Sequence, residues 1–256
     1  MASKRFRFAG SSGQSLDGTI DLAEAPERGT ALFAHCFTCG KQSLAATRIA
    51  AGLAESGWSV LRFDFTGLGG SEGEFANSGF NGNVEDLVAA AAALGAEQPP
   101  PTLLVGHSLG GAAMIAAAGY IASCRAVATI NAPFDVEHLL DRFGEGDVER
   151  VEQSGQAKVR IGGREFCVTG DFIEQVRDQP QAERLGKLGK ALMVMHAPTD
   201  ELVALDNAKA IFDAARHPKS FVALDGADHL LTTPGSGAYA ARIVAAWAQP
   251  YGKDRE

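Results

Sequence analysis

The pentapeptide Gly106-His107-Ser108-Leu109-Gly110 sets one serine between two glycines, after the apolar run Leu103–Val105 and before an alanine-rich stretch. A G-x-S-x-G pattern at a strand-to-helix turn holds a nucleophile clear of the sheet, because small residues two positions either side of it avoid collisions. The helix that follows turns backbone N–H groups and the positive end of its dipole toward developing negative charge. A glycine-rich turn with a capping serine is the non-catalytic alternative. The strand–turn–helix context favours the nucleophile.

Serine is a weak nucleophile at neutral pH and needs a histidine base, which in turn needs a carboxylate to fix its tautomer. In the chain order serine, acid, histidine, Asp200 falls in HAPTDELV and His229 in LDGADHLL. Each follows a strand-like run, so both are expected in loops at the carboxyl edge of a sheet, where sites of open α/β folds gather. Asp225 and Asp228 rival Asp200, but one sits at a turn and the other adjoins His229. Among the other histidines, His107 is expected to point away from the nucleophile, His35 and His196 to end strands in packing roles, and His138 and His217 to lie at the surface. Oxyanion donors are expected from the backbone N–H of Leu109 and, in HCFTCGK, from that of Phe37. The same loop reads Cys36-Phe37-Thr38-Cys39, a C-x-x-C spacing that offers a thiol-redox reading and marks Cys36 and Cys39 as candidate redox-sensitive groups. These thiols are expected to be reduced in a cytoplasmic protein, and Cys124 and Cys167 read as buried small apolar residues. No metal or cofactor is expected.

Positioning these groups requires a sheet. Strand-length runs at Arg5–Phe8, Leu16–Leu22, Thr30–His35, Ser59–Phe65, Thr102–Gly106, Ala126–Asn131, Ala191–His196 and Lys219–Leu224 alternate with helical periods at Ser43–Ser56, Gly82–Leu94, Leu109–Ala122, Leu205–Arg216 and Ser236–Ala248. That alternation predicts an α/β fold with a mostly parallel eight-stranded sheet flanked by helices. Pro99–Pro101 ends one helix before the next strand. Residues from about 134 to 190 turn polar and break the rhythm. They are expected to form a small cap insertion in a single domain spanning 1–256, with a hairpin in KVRIGGREFCVTGD turning at Gly162–Gly163 and short helices at Val136–Phe143 and Phe172–Gln179.

The bounds agree. A chain of 256 residues buries about three quarters of its unfolded surface and needs no staple. Net charge is −8 with no basic run longer than two, which argues against nucleic acid and anionic lipid as partners. No apolar run reaches the roughly 20 residues that cross a bilayer, and the amino-terminal residues lack a signal-peptide core. A cytoplasmic protein acting on a small acyl substrate is expected.

Taken in order, HCFTCGK, RFDFTGLGGSEG, GHSLGG, NAPFD, HAPTDELV and DGADHLL resemble an α/β-hydrolase across nearly the whole chain. The resemblance implies a serine hydrolase with Asp64 of RFDFTGLGGSEG bonding loop backbone. HCFTC and FDFTGLGGSEG are further similar to the hydrolase portion of proteins that join an α/β-hydrolase to an OsmC-like domain, a thiol-dependent peroxide-reductase module. The sequence ends at YGKDRE short of such a module, so either a stand-alone relative or a shortened chain is expected, with an OsmC-like partner or fused module as the candidate partner that the resemblance implies. Absence of an HGGG run and of an elbow aspartate argues against hormone-sensitive-lipase-like esterases and against dehalogenase or epoxide-hydrolase chemistry. A serine carboxylesterase-like acyl hydrolase is therefore expected, against two alternatives: a non-catalytic hydrolase-fold binding or regulatory module, and a thiol-redox protein using Cys36 and Cys39.

Overall fold

The computed structural model describes residues 2–24, 26–161, 163–177 and 179–253. An antiparallel pair, β1 (Ser3–Ala9) and β2 (Ser15–Asp21), leads into β3 (Gly29–Ala34) and β4 (Trp58–Phe63), and the sheet continues through β5 (Leu103–His107) and β6 (Ala126–Ile130). Two strands that follow the insertion, β9 (Ala191–His196) and β10 (Lys219–Ala223), complete it in the order β1-β2-β4-β3-β5-β6-β9-β10. From β4 to β10 neighbouring strands run parallel, whereas β2 meets β4 antiparallel. The mostly parallel eight-stranded sheet is thus the one expected.

Both faces of the sheet are covered, which is why its strands read as continuous apolar runs. Along β3 the alternation is visible residue by residue: Leu32 and Ala34 pack on one face, Ala31 and Phe33 on the other. Helices α2 (Phe80–Glu97) and α3 (Leu109–Ala117) cover the first face, and α1 (Leu44–Glu55) and α8 (Ser236–Trp247) the second. Helix α7 (Leu205–Ala214) bridges β9 and β10. Helix α3 ends earlier than its alanine-rich sequence predicts, and Ala118–Tyr120 turn away before β6.

Between β6 and β9 the insertion holds a 3-10 helix (Val136–Arg142), α4 (Asp147–Ser154), the hairpin β7 (Gln156–Ile161) and β8 (Arg164–Thr169), α5 (Gly170–Val176) and α6 (Gln181–Gly186). The hairpin and two of the helices lie where the sequence places them; Gly162 of its turn is outside the described residues. Helix α4 went unread because it is short and polar, with Val151 buried and Val148 half-buried. It is set off by Gly146 and Gly155, both at positive φ (75° and 76°) that glycine adopts freely. No described helix is long and apolar enough to cross a membrane.

Candidate active site

Ser108 joins β5 to α3 with φ 54° and ψ −129°, a backbone setting that costs a non-glycine residue on the order of 1–3 kcal/mol. The turn is held by close approach on both sides. A Cβ on Gly106 would lie 2.4 Å from the Gly110 carbonyl oxygen, and one on Gly110 would lie 2.5 Å from that of His35 and 2.6 Å from that of Ala34. Only hydrogen fits at either position. The Ser108 N–H donates to Ile130 of β6 at 2.8 Å, which ties the turn to the next strand.

Asp200 follows β9 and His229 follows β10, and the fold brings both to Ser108. His229 Nδ1 lies 2.6 Å from Asp200 Oδ2, and Nε2 lies 3.0 Å from Ser108 Oγ. A carboxylate only accepts, so the Nδ1 proton belongs to that bond and Nε2 is free to accept from the serine hydroxyl. Asp200 Oδ1 accepts from the N–H groups of Leu202 (2.8 Å) and Val203 (2.9 Å). Burial by itself would raise the Asp200 pKa, but the bond from His229 and those from Val203 and Leu202 outweigh it and lower the pKa. The rival carboxylates are otherwise placed: Asp225 is exposed, and Asp228 accepts from Thr232 (2.6 Å) and Thr233 (3.1 Å) to close its own turn. Asp64 accepts from the backbone of Lys41 (2.7 Å) and Gly70 (3.0 Å) and from Lys41 Nζ (2.5 Å), so it holds loops.

Two residues that fix this arrangement were not read from the sequence. Asn131, at the end of β6, donates from Nδ2 to the His229 carbonyl (2.9 Å) and accepts at Oδ1 from Ala197 N–H (2.8 Å). One amide thereby ties the loop carrying the acid to the loop carrying the base. His107 is more than a residue turned away from the serine, since its Nε2 donates to the same carbonyl at 2.7 Å. A single asparagine or histidine ending a strand carries no pattern in one sequence.

His35, His107 and His196 share one state. Each donates a single ring N–H to a carbonyl, of Cys36, His229 and Val203 respectively, while the other ring nitrogen has no hydrogen-bond partner among the described residues. That pattern is a neutral imidazole. Burial lowers all three pKa values, that of His107 to about 4. His196 Nε2 also stands 3.8 Å from Asp200 Oδ2, but its proton points to Val203 at 2.8 Å, which leaves the carboxylate to His229.

Ser108 and His229 open onto a cavity of about 480 Å³ whose wall includes Phe37, Leu109, Leu139 and Ile161. The Phe37 ring packs against Phe75 and Phe172, at 5.6 and 5.8 Å between centroids. Three expectations need correction here. Cys36 and Cys39 are joined by a disulfide, not held as free thiols, because the tight loop brings their side chains together around Phe37. Cys167 is half-exposed on the hairpin, whereas Cys124 is buried as expected, its thiol pushed up to about 12 by burial. His138 lines the cavity, with Nε2 3.0 Å from the Leu202 carbonyl, because the insertion folds back over the site; His217 is exposed. Arg142 and Arg164 of the insertion also line the cavity, and no sequence signal marked them. Among the described residues no group of three or more histidine, cysteine, aspartate or glutamate side chains is placed to hold a metal ion.

Residues 31–246 match the model of the alpha/beta hydrolase family. Among solved structures, the esterase domain of a Rhodothermus marinus protein is similar at 40% identity, covering 98% of this chain and 99% of that one with a TM-score of 0.80. The alpha/beta hydrolase GrgF from a Penicillium species (16% identity, 98% and 99% covered, TM-score 0.82) and Est1E from Butyrivibrio proteoclasticus with ferulic acid bound (16%, 95% and 98%, TM-score 0.73) share the fold. A comparison with curated protein sequences finds no match.

Proposed function

This chain belongs to the alpha/beta hydrolase family, and from that premise we propose that it is a serine hydrolase cleaving small carboxylic esters, or related acyl substrates, through an acyl-enzyme on Ser108. The observation that carries the reading is the hydrogen-bond chain from Ser108 Oγ to His229 Nε2 (3.0 Å) and from His229 Nδ1 to Asp200 (2.6 Å), opening onto the cavity. The similar Rhodothermus marinus domain, itself described as an esterase, supports the same reading.

In this mechanism Ser108 Oγ attacks the substrate carbonyl while His229 Nε2 takes the hydroxyl proton, and Asp200 stabilises the resulting imidazolium. The carbonyl electron pair moves onto oxygen, facing the N–H groups of Leu109 at the start of α3 and of Phe37. A donor of this kind is worth about 3 kcal/mol of barrier. Collapse expels the alcohol, which takes the proton from Nε2. Water, deprotonated by the same nitrogen, then attacks the acyl-enzyme, and its collapse releases the acid and restores the serine hydroxyl. A cavity of about 480 Å³ at the small end of ligand sites fits acyl chains of roughly two to six carbons. Thioesters and lactones would use the same groups.

The test is fluorophosphonate labelling followed by turnover of activated esters. Ser108 is expected to take the label, and Ser108→Ala to lose both label and turnover while melting as the wild type does. More than about a tenth of wild-type kcat in Ser108→Ala would refute Ser108 as the nucleophile, since removing a member of such a triad costs orders of magnitude. An unlabelled, inactive wild type would point instead to a non-catalytic binding module.

A further inference from the structure

Most of the cavity wall is apolar, yet it contains two guanidinium groups, both contributed by the insertion. Arg142 ends the 3-10 helix and donates from Nη2 to the Leu202 carbonyl, in the loop that carries Asp200. Arg164 opens β8, donates from Nη1 to the Thr38 carbonyl at 3.2 Å, beside Phe37, and lies 5.2 Å from the ring of Phe166. The two therefore reach the cavity from its acid side and its oxyanion side. Neither is paired with a carboxylate among the described residues, in a chain where acidic residues outnumber basic ones 31 to 23. The nearest acid in sequence to Arg142, Asp141, is held by His138 Nδ1 at 2.8 Å. Glu165, next to Arg164, faces Lys158 and Arg160. A guanidinium has five N–H donors, so one backbone bond each leaves most of the fork free for a ligand or for solvent.

We propose that Arg142 and Arg164 select substrates bearing a carboxylate, so that this hydrolase acts on acidic esters such as half-esters of dicarboxylic acids or esters of hydroxy acids. The inference rests on the serine-hydrolase reading above. Planar guanidinium forks match carboxylates two bonds at a time. Because both arginines are exposed at the cavity rim, the preference is moderate and falls with added salt. The plain structural role, latching the insertion to the core loops, would serve neutral and acidic substrates alike.

Matched ester pairs separate the two roles. Mono-4-nitrophenyl adipate against 4-nitrophenyl hexanoate tests a carboxylate on the acyl side, and 4-acetoxybenzoate against phenyl acetate tests one on the leaving group. In at least one pair, the wild type is expected to show a kcat/KM about tenfold or more higher for the acidic member after correction for leaving-group reactivity. That ratio should collapse in Arg142→Gln/Arg164→Gln and shrink with added salt. A wild type that prefers the neutral member of both pairs overturns the proposal, as does a double variant that slows both members equally and keeps the ratio. Failure of the underlying reading shows separately, through calorimetry on Ser108→Ala. If no ester is turned over but this variant binds monoethyl adipate at least tenfold more tightly than ethyl hexanoate, and the arginine substitutions remove the difference, the acid site stands without the hydrolase. Equal binding of the two overturns the acid site.

Discussion

Replacing Asp200 by asparagine changes one atom and leaves the loop its shape, so its effect isolates the proton arrangement. Asp200 offers one oxygen to His229 Nδ1 and the other to two backbone donors, Leu202 and Val203. An asparagine in that place has a choice. With its carbonyl toward the two N–H groups, its amide nitrogen donates to Nδ1. The proton then sits on Nε2, the nitrogen that must accept from Ser108. With the amide reversed, the tautomer is restored but an NH₂ group faces two backbone N–H groups that lose their acceptor. Each unsatisfied buried donor costs about 1–3 kcal/mol, so the inactive orientation is favoured by about 2–6 kcal/mol. At about 1.4 kcal/mol per decade, the productive form falls to between about one part in thirty and one part in 10⁴. The expected result is a loss of kcat in that range on an activated ester, with little change in KM and a thermal midpoint close to wild type. A loss smaller than tenfold in a folded protein would refute the assigned acid, and so would a mild effect here beside a severe one in Asp225→Asn or Asp228→Asn.

Other expectations follow from the packing and the protonation states. Gly110→Ala puts a methyl 2.6 Å from the Ala34 carbonyl oxygen on β3 and 2.5 Å from that of His35 in the following loop and should lower stability by about 3 kcal/mol or more; a urea midpoint within error of wild type would show that the elbow has room to shift. His107 is buried neutral with its pKa lowered to about 4, and His35 and His196 shift the same way. The unfolded chain therefore takes up protons first as pH falls below about 6.5, and the stability present above that pH is progressively lost toward pH 4, by up to about 3 kcal/mol for His107 alone. A further loss below about pH 4 is expected from Asp17, where burial is outweighed by bonds from Lys41 and Arg5 that lower its pKa to about 2. Urea midpoints unchanged between pH 8 and 4.5 would contradict the neutral histidines. The Cys36–Cys39 bridge flanks the Phe37 N–H assigned to the oxyanion, so Cys36→Ser/Cys39→Ser, or dithiothreitol on the wild type, is expected to lower kcat several-fold with KM little altered. Unchanged kcat would mean that the packing of Phe37 on Phe75 and Phe172 holds the donor by itself.

Several elements of this protein could be read along the chain because their physical cause is local. Apolar runs such as Leu103–Val105 and Ala191–Met195 declare strands that are buried on both faces, and the glycines around Ser108 declare a turn in which only hydrogen fits. Asp200 and His229 were legible too, since each lies in the loop after a strand of the parallel part of the sheet, and those loops emerge at the same edge. Where the sequence fell short, the missing information was a contact between segments distant in the chain. Asn131 matters through His229 and Ala197, 98 and 66 residues away, and Arg164 through Thr38, 126 residues back. His138 looked like a surface group in a polar insertion, and nothing in the sequence marked Arg142, until the insertion folded over the site. The C-x-x-C spacing allows the Cys36–Cys39 bridge, and the turn closed by the Cys39 N–H on the Cys36 carbonyl brings the two sulfurs together. Periodicity and turn chemistry act over a few residues and leave their mark in every sequence that uses them. A hydrogen bond across the sheet edge is made only when the whole chain has packed, so the tertiary structure alone decides what surrounds the serine.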